Sequence, residues 1–120
     1  MSNQIQDVLN DLRRTAGVKG AAVLTHDGLL AAAALEERFQ SDVVVGLTSY
    51  LMMTTSRSLR EGGLGACSQV VLHATHGKAI FATVDESYLV VLVDQFADLT
   101  TVRREFQEAS MRIRRTTRLA

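Results

Sequence analysis

The chain has 120 residues, 47% of them hydrophobic, and its 13 basic residues balance 13 acidic ones. This length suits one domain that buries roughly two-thirds of its unfolded surface, and the balanced charge gives no attraction to nucleic acid or an anionic membrane. A single cysteine, Cys67, excludes an internal disulfide and offers no metal framework. The polar N-terminal stretch lacks a secretory signal, so we expect a cytoplasmic protein.

The first predicted element is a helix over about residues 3–16. Apolar residues from Ile5 to Leu12 follow the i, i+3, i+4, i+7 spacing of one helical face. Asn3 suits the N-cap, and Gly17 lies where a glycine stops a helix.

A β-hairpin is predicted next, with strands over residues 18–25 and 29–35. Asp27-Gly28 between two apolar runs is a strong turn signal, because glycine adopts positive φ without steric cost. The second run is rich in alanine, which also suits a helix. The turn and the short length of the run favour a strand.

Residues 42–60 are predicted to form a largely apolar central helix. No charged residue lies between Asp42 and Arg57, and at helical spacing the apolar residues fall on three stripes. The stripes are Val44, Leu47 and Leu51; Val43, Tyr50 and Met53; and Val45, Met52 and Leu59. Such a helix must be covered on more than one side, yet it is too short to cross a membrane, which needs ~20 apolar residues. It is either buried within its own domain or covered by a second chain, and the small size of the chain favours the second chain.

The expected N-cap of this central helix (residues 42–60) is Ser41 or Asp42. A glycine-rich loop follows the helix at residues 61–65. A glycine-rich loop suggests phosphate binding, but phosphate loops precede a helix whose N-terminus holds the anion. This loop follows a helix and precedes a strand. We therefore expect no bound nucleotide.

Three strands are predicted after the loop, over residues 66–75, 79–84 and 88–94. Their short connections predict an antiparallel meander. The last strand is apolar on both faces and is therefore expected to be covered on both. In the first, Gln69 and His73 share a face with Cys67 and Val71, and this half-polar pattern predicts an edge strand that can pair with another chain.

The final element is a helix over about residues 98–118. Its apolar stripe consists of Leu99, Val102, Phe106, Ala109 and Ile113. Asp98 begins the helix and arginines crowd its end, as the helix dipole favours. Without interleaved aromatic residues, this arginine cluster is better explained as a solvated helix end than as a phosphate or lipid site.

The order α-β-β-α-β-β-β-α predicts one α+β domain over residues 1–120. We expect a three-layer sandwich around a central five-stranded antiparallel sheet. The first and last helices cover one face, and the central helix covers the other.

This order and the residues that punctuate it resemble the roadblock family, also called the dynein light-chain roadblock or MglB-like family, of roadblock/profilin-like fold. The matching features are Gly-Val-Lys-Gly-Ala at 17–21, Asp-Gly-Leu at 27–29, the glycine-rich loop, Gly77 with Ile80-Phe81, and Leu-Val-Val-Leu-Val at 89–93. The similarity spans nearly the whole chain and points to the small bacterial single-domain members.

The resemblance implies a homodimer that pairs edge strands across a two-fold axis and places its central helices side by side. It also implies binding to a small Ras-like GTPase of the MglA type and regulation of its nucleotide cycle. We assign partner binding to Tyr50, Met53, Arg57 and Arg60. We assign the dimer interface to Val45, Met52, Gln69, Val71 and His73. The alternative is a ligand-sensing or scaffold module of the same fold, whose central helix covers a small-molecule pocket and which has no GTPase partner.

No constellation in the sequence supports catalysis, and we expect no cofactor and no metal. Along a strand, Cys67 and His73 are roughly 20 Å apart, whereas a nucleophile and its base need about 3 Å. His73 and His76 point to opposite faces. Arg57 or Arg60 would suit an arginine finger, but arginine is favoured near a helix C-terminus anyway, so we predict a binding role.

Overall fold

The computed structural model describes residues 4–119 and the side chains of residues 4–116. Within these residues, three helices and five strands follow one another in the predicted order. They are α1 (Gln4–Arg13), β1 (Val18–Thr25), β2 (Leu30–Leu35), α2 (Ser41–Glu61), β3 (Gln69–Ala74), β4 (Gly77–Val84), β5 (Ser87–Asp94) and α3 (Leu99–Leu119). None of these helices is long and apolar enough to span a membrane.

The five strands form one antiparallel sheet in the order β2-β1-β5-β4-β3. The strand that is apolar on both faces, β5, lies in the middle of the sheet, and β2 and β3 are its edges. The edge position predicted for the half-polar strand is therefore confirmed. α1 and α3 pack on one face and α2 on the other, so the predicted three-layer sandwich is also confirmed.

Each face of the sheet has its own apolar core. The larger core joins the sheet to α1 and α3, and its helical contributions include Leu9, Leu12, Val102, Phe106 and Ile113. The smaller core joins the sheet to α2 and consists of Ala22, Leu24, Val44, Met52, Cys67, Phe81 and Val90. Strand residues alternate between the two cores, as the period of two in a strand requires.

α1 is shorter than predicted, and Gly17 is not the residue that stops it. The helix ends at Arg13, and single turns follow, in which Val18 N donates to Thr15 O at 3.0 Å. Gly17 has a φ of +89°, and a Cβ at this position would lie 2.3 Å from the Cβ of Ala97. The close approach of the β5–α3 connection therefore requires glycine here. The predicted N-cap, Asn3, lies outside the described residues.

The β1–β2 hairpin confirms the strand prediction for the alanine-rich segment. Gly28 N donates to Thr25 O at 3.0 Å and Thr25 N donates to Leu29 O at 2.8 Å. Gly28 has a φ of +92°, and the strand register shifts between Val23 and Leu24. A three-residue loop with positive φ at its last residue and an adjacent bulge is a common hairpin connection. Pairing with β1 thus overrides the helix propensity of alanine.

Two predicted details of α2 and β3 are wrong. The N-cap of α2 is Gln40, which makes no side-chain capping bond, while Ser41 and Asp42 already lie inside the helix. β3 begins at Gln69 rather than at residue 66. Because the chain is not yet a strand at Cys67, this side chain is buried in the α2-side core, whereas Val71 packs on the α1/α3 side. Cys67 therefore does not share a face with Val71 and His73.

Candidate partner-binding surface

α2 is apolar on the side that faces solvent as well as on the side that packs on the sheet. Towards the sheet, Val44, Thr48 and Met52 are buried, and the Thr48 hydroxyl is satisfied because it donates to Val44 O at 2.7 Å. On the opposite side, four large apolar side chains are between 47% and 71% exposed: Val43, Leu47, Tyr50 and Met53. Gly46 lies among them, with no heavy atom within 4 Å of where its Cβ would be. We call these five residues the α2 outer face.

The four residues predicted to bind a partner all lie along this side of α2 and are exposed. Tyr50, Met53, Arg57 and Arg60 follow one another at three- and four-residue spacing, which places them on one side of a helix. Neither arginine forms an ion pair with any residue that the structure describes. Both guanidinium groups are therefore free to meet a carboxylate on another molecule. Their role in partner binding stays a prediction.

Of the two α2 residues assigned to a dimer interface, Met52 must be withdrawn. Its side chain is 0% exposed within its own chain, so it has no surface to offer a second chain. Val45 is half-buried and packs against the same core. The exposure of Val43, Gly46 and Leu47 was not predicted from the sequence. The available signal was their spacing of seven, four and three residues from Tyr50.

β3 presents one edge that pairs with no strand among the described residues. In an antiparallel ladder, backbone polar groups point alternately to the two sides of the strand. Thr83 N donates to Ser68 O at 3.0 Å, which identifies the even-numbered residues as those bonded towards β4. Gln69, Val71 and His73 consequently direct their backbone N–H and C=O groups outward. The three β3 residues predicted for the dimer interface thus share the open edge, and their contact with a second chain stays a prediction.

On the other edge of the sheet, β2, a side chain of α1 bonds an outward backbone carbonyl. Glu36 N donates to Lys19 O, so the alternation turns the carbonyl of Ala33 outward. That carbonyl accepts a hydrogen bond of 2.8 Å from Gln6 Nε2. Arg13 Nη1 donates to Ala34 O at 3.3 Å. No sequence signal pointed to this contact, because Gln6 and Ala33 meet only through the tertiary packing of α1.

The clearest electrostatic perturbation is at the β1–β2 turn rather than on α2. The pKa of Asp27 is lowered, chiefly because Thr25 Oγ1 donates a hydrogen bond of 2.6 Å to its carboxylate and also through backbone hydrogen bonding. This carboxylate organises the turn. A Cβ at the adjacent Gly28 would lie 3.3 Å from Ser49 Oγ, so the hairpin tip rests against α2.

The sequence matches that of a known domain family over most of its length. A model of the Roadblock/LC7 domain matches residues 4–93. An uncharacterized protein of Methanocaldococcus jannaschii is 32% identical over 114 residues, which span 95% of this chain and 97% of that protein. Because this relative is archaeal, the expectation of a bacterial protein stays a prediction.

The fold matches solved structures over nearly the whole chain. Myxococcus xanthus MglB superposes with a TM-score of 0.92 at 18% identity, covering 98% of each chain. A Roadblock/LC7 domain from Streptomyces avermitilis gives 0.83 at 22% identity, covering 93% of this chain and 96% of that one. At these identities the likeness establishes the shared fold, and it extends to α3, beyond the reach of the family match. The chain belongs to the Roadblock/LC7 domain family.

Proposed function

We propose that this chain is a non-catalytic homodimer that regulates a small Ras-like GTPase of the MglA type, as a GTPase-activating or scaffolding partner. The observation that carries this proposal is the α2 outer face. Exposed apolar area carries a cost of roughly 25 cal/mol per Å² relative to burial, and contiguous apolar patches commonly mark interaction sites. Family membership and the MglB-like fold support the choice of partner.

Two features that remain uncovered in a single chain support homodimerisation. The open edge of β3 offers backbone donors and acceptors, and the α2 outer face offers apolar area. An exposed strand edge is a template for pairing with another chain. Two copies joined through β3 bring their α2 helices to the same face of a continuous sheet, and they form there a surface that one chain does not have.

The docking surface for the GTPase is this pair of α2 helices, with Tyr50 and Met53 as anchors and Arg57 and Arg60 at its border. Aromatic residues, methionine and arginine are enriched at protein interfaces. The core beneath α2 is filled by large buried side chains such as Leu24, Met52 and Phe81. A filled core favours a docking helix over one that covers a small-molecule pocket.

The decisive experiment is a pull-down with the tagged chain, from its own cells, in the presence of a GTP or a GDP analogue. Wild type is expected to retain a Ras-like GTPase in a nucleotide-dependent way. Met53→Lys should reduce capture at least tenfold, as for an anchor worth more than about 1.4 kcal/mol. The matched control is Met111→Lys on α3, because Met53 and Met111 are similarly exposed, at 52% and 45%. Equal losses from both variants, or capture of no GTPase, would contradict the proposal.

The two arginines test whether the dimer contributes directly to GTP hydrolysis. Arg57→Ala combined with Arg60→Ala should weaken binding modestly and leave the maximal stimulated rate within about tenfold of wild type. An arginine finger contributes roughly 10³ to 10⁵ in rate. Normal binding with a thousandfold loss of stimulated hydrolysis would establish a finger and refute the non-catalytic assignment.

A further inference from the structure

We infer that a cavity on the α1/α3 side of the sheet binds a small organic cation, in which an ammonium group is carried on an apolar body. The cavity lies at the end of the sandwich where the β1–β2 hairpin meets the turn between β4 and β5. His26 N donates to Glu86 O at 3.2 Å there, which ties the hairpin to the turn. This side of the sheet is opposite α2, so the inference goes beyond the proposed function and does not depend on it.

The cavity has the size and the apolar lining of a small-molecule site. Its volume is about 400 Å³, within the roughly 300–1,000 Å³ that is typical of such sites. Three different elements supply its apolar residues, which are Ile5 on α1, Val23 on β1 and Ala31 on β2. Val23 is part of the larger core and Ile5 packs against it. The apolar lining is therefore held in place by the fold itself, as in a preformed site.

The polar side chains that line the cavity act as hydrogen-bond acceptors. They belong to Thr25, Asp85, Glu86 and Ser87. Each hydroxyl has one proton to donate, and Thr25 Oγ1 donates it to Asp27 Oδ1 at 2.6 Å. Ser87 Oγ donates to Val84 O at 2.8 Å, and ionised carboxylates only accept. The complementary ligand group is therefore a donor, and an ammonium group offers three protons and no lone pair.

The net charge beside the cavity is negative. Asp85 and Glu86 line it, and Asp27 is joined to its wall by the hydrogen bond from Thr25. The guanidinium of Arg114 lies 3.3 Å from Asp85 and offsets one of these three carboxylates. An excess of about two negative charges remains, which favours a cation over an anion.

The apolar lining and the carboxylates contribute differently to binding. The Glu86 side chain is 91% exposed, and His26 Nδ1, 3.7 Å from its carboxylate, adds a positive charge only when protonated. Water and salt screen such exposed charges. Apolar contact therefore supplies most of the affinity, and the carboxylates supply the preference for a cation.

A second cavity on the same side of the protein lacks this combination. It has a volume of about 320 Å³, lies between α1 and α3, and is lined by Gln4, Asp7, Val8, Arg112, Arg115 and Thr116. Two guanidinium groups and one carboxylate line it, and Val8 is the one apolar residue among the six. A cation is therefore disfavoured there, and this cavity serves as an internal control.

Amide NMR titration of the isotope-labelled full chain tests the inference with three probes of similar shape. They are phenethylammonium, the neutral phenethyl alcohol and the anionic phenylacetate. We expect phenethylammonium to shift the amide signals of Ile5, Val23, Ala31 and Ser87. At low salt it should bind about tenfold more tightly than the alcohol, with phenylacetate weakest. The amide signal of Arg115 at the second cavity should not move.

Two substitutions separate the apolar and the electrostatic contributions. Ala31→Phe fills the cavity from β2 and should abolish binding of all three probes. Glu86→Lys reverses a charge at the cavity and should weaken binding of phenethylammonium about tenfold, with the alcohol unaffected. The matched control is Glu108→Lys, which makes the same charge change at an exposed α3 position that does not line the cavity. This variant should bind phenethylammonium as wild type does.

Four results would overturn the inference. They are equal affinity for the ammonium probe and the alcohol, equal losses from the two lysine variants, unchanged binding by folded Ala31→Phe, and no shift at millimolar phenethylammonium. If Ala31→Phe does not fold, the lysine variants decide alone, because both change exposed side chains. A chain that captures a GTPase but binds no phenethylammonium refutes only this inference.

Discussion

The two helical layers of this protein differ in how they use apolar residues. On α3, four residues of the predicted apolar stripe are buried in the core, and Leu99 is packed against it. Most of its solvent side is polar, with Arg103, Arg104, Gln107 and Glu108 exposed. α2 buries one apolar side and exposes another, from Val43 to Met53.

This difference separates residues that hold the domain together from residues available to a partner. α3 follows the usual pattern of a surface helix, with one apolar stripe and an opposite polar side. The second apolar side of α2 contributes nothing to the core of a single chain, so it is the side available to the proposed partner. Substitutions on the two sides of α2 should therefore affect different measurements.

The largest effect is expected from two adjacent methionines on α2. Met52→Ala should lower the free energy of unfolding by about 2–5 kcal/mol, because it leaves a cavity in the core. Met53 is 52% exposed, so Met53→Ala should cost the isolated domain less than about 0.5 kcal/mol. Urea unfolding over a range of protein concentrations measures both, and a cost for Met53→Ala that disappears on dilution indicates lost contact with a second chain. At low protein concentration, a smaller loss of unfolding free energy for Met52→Ala than for Met53→Ala would mean that Met53, rather than Met52, belongs to the core.

Two glycines allow a similar comparison between a tightly packed backbone position and an exposed one. Gly17→Ala should destabilise by about 2 kcal/mol or more, because it combines positive φ with a clash against Ala97. Gly46 lies inside α2 with open space around it, and Gly46→Ala should raise stability by about 0.5–1 kcal/mol. Thermal unfolding checks the opposite signs. Tolerance of alanine at Gly17 would contradict the close approach of the β5–α3 connection.

The N-termini of α3 and α2 differ in a way that predicts a smaller effect. Asp98 caps α3, since its carboxylate accepts from Thr100 N at 3.0 Å. Asp98→Ala should cost about 1 kcal/mol. Gln40 makes no capping bond at α2, so Gln40→Ala should be nearly neutral and Gln40→Asp should stabilise by up to about 1 kcal/mol. Chemical denaturation of the three variants measures this, and equal losses from the two alanine variants would contradict it.

The smallest effect concerns the turn that rests against α2. Thr25→Val removes the hydroxyl that donates to Asp27, so the pKa of Asp27 should rise towards its ordinary value. A carboxylate whose pKa is lowered by folding contributes stability above its unfolded pKa and loses it as pH falls through the folded pKa. The variant should therefore lose some of the acid dependence of stability below about pH 4. Carboxyl-carbon NMR titration measures the shift directly, and an unchanged pKa would exclude Thr25 as its main cause.

Much of the fold follows from local sequence patterns. The stripe from Leu99 to Ile113 predicted α3, and Asp27-Gly28 predicted the hairpin even though its second strand is rich in alanine. Element ends were less accurate. α1 ends at Arg13, and single hydrogen-bonded turns follow before Gly17 is reached. β3 begins only at Gln69, and the chain before it places Cys67 in the α2-side core.

The sequence by itself determined the order of elements, the edge character of β3 and the excess of apolar residues on α2, because these follow from periodicities of two and 3.6 residues. Only the tertiary structure decided which side of α2 faces the sheet, and therefore that Met52 is core while Tyr50 and Met53 are exposed. It also decided that Gln6 Nε2 bonds the outward carbonyl of Ala33 on β2, whereas the outer edge of β3 pairs with no strand among the described residues. The physical reason is that a helix apolar nearly all round has no internal signal for its orientation. Its rotation is set by contacts with residues distant in the chain, such as Leu24, Phe81 and Val90.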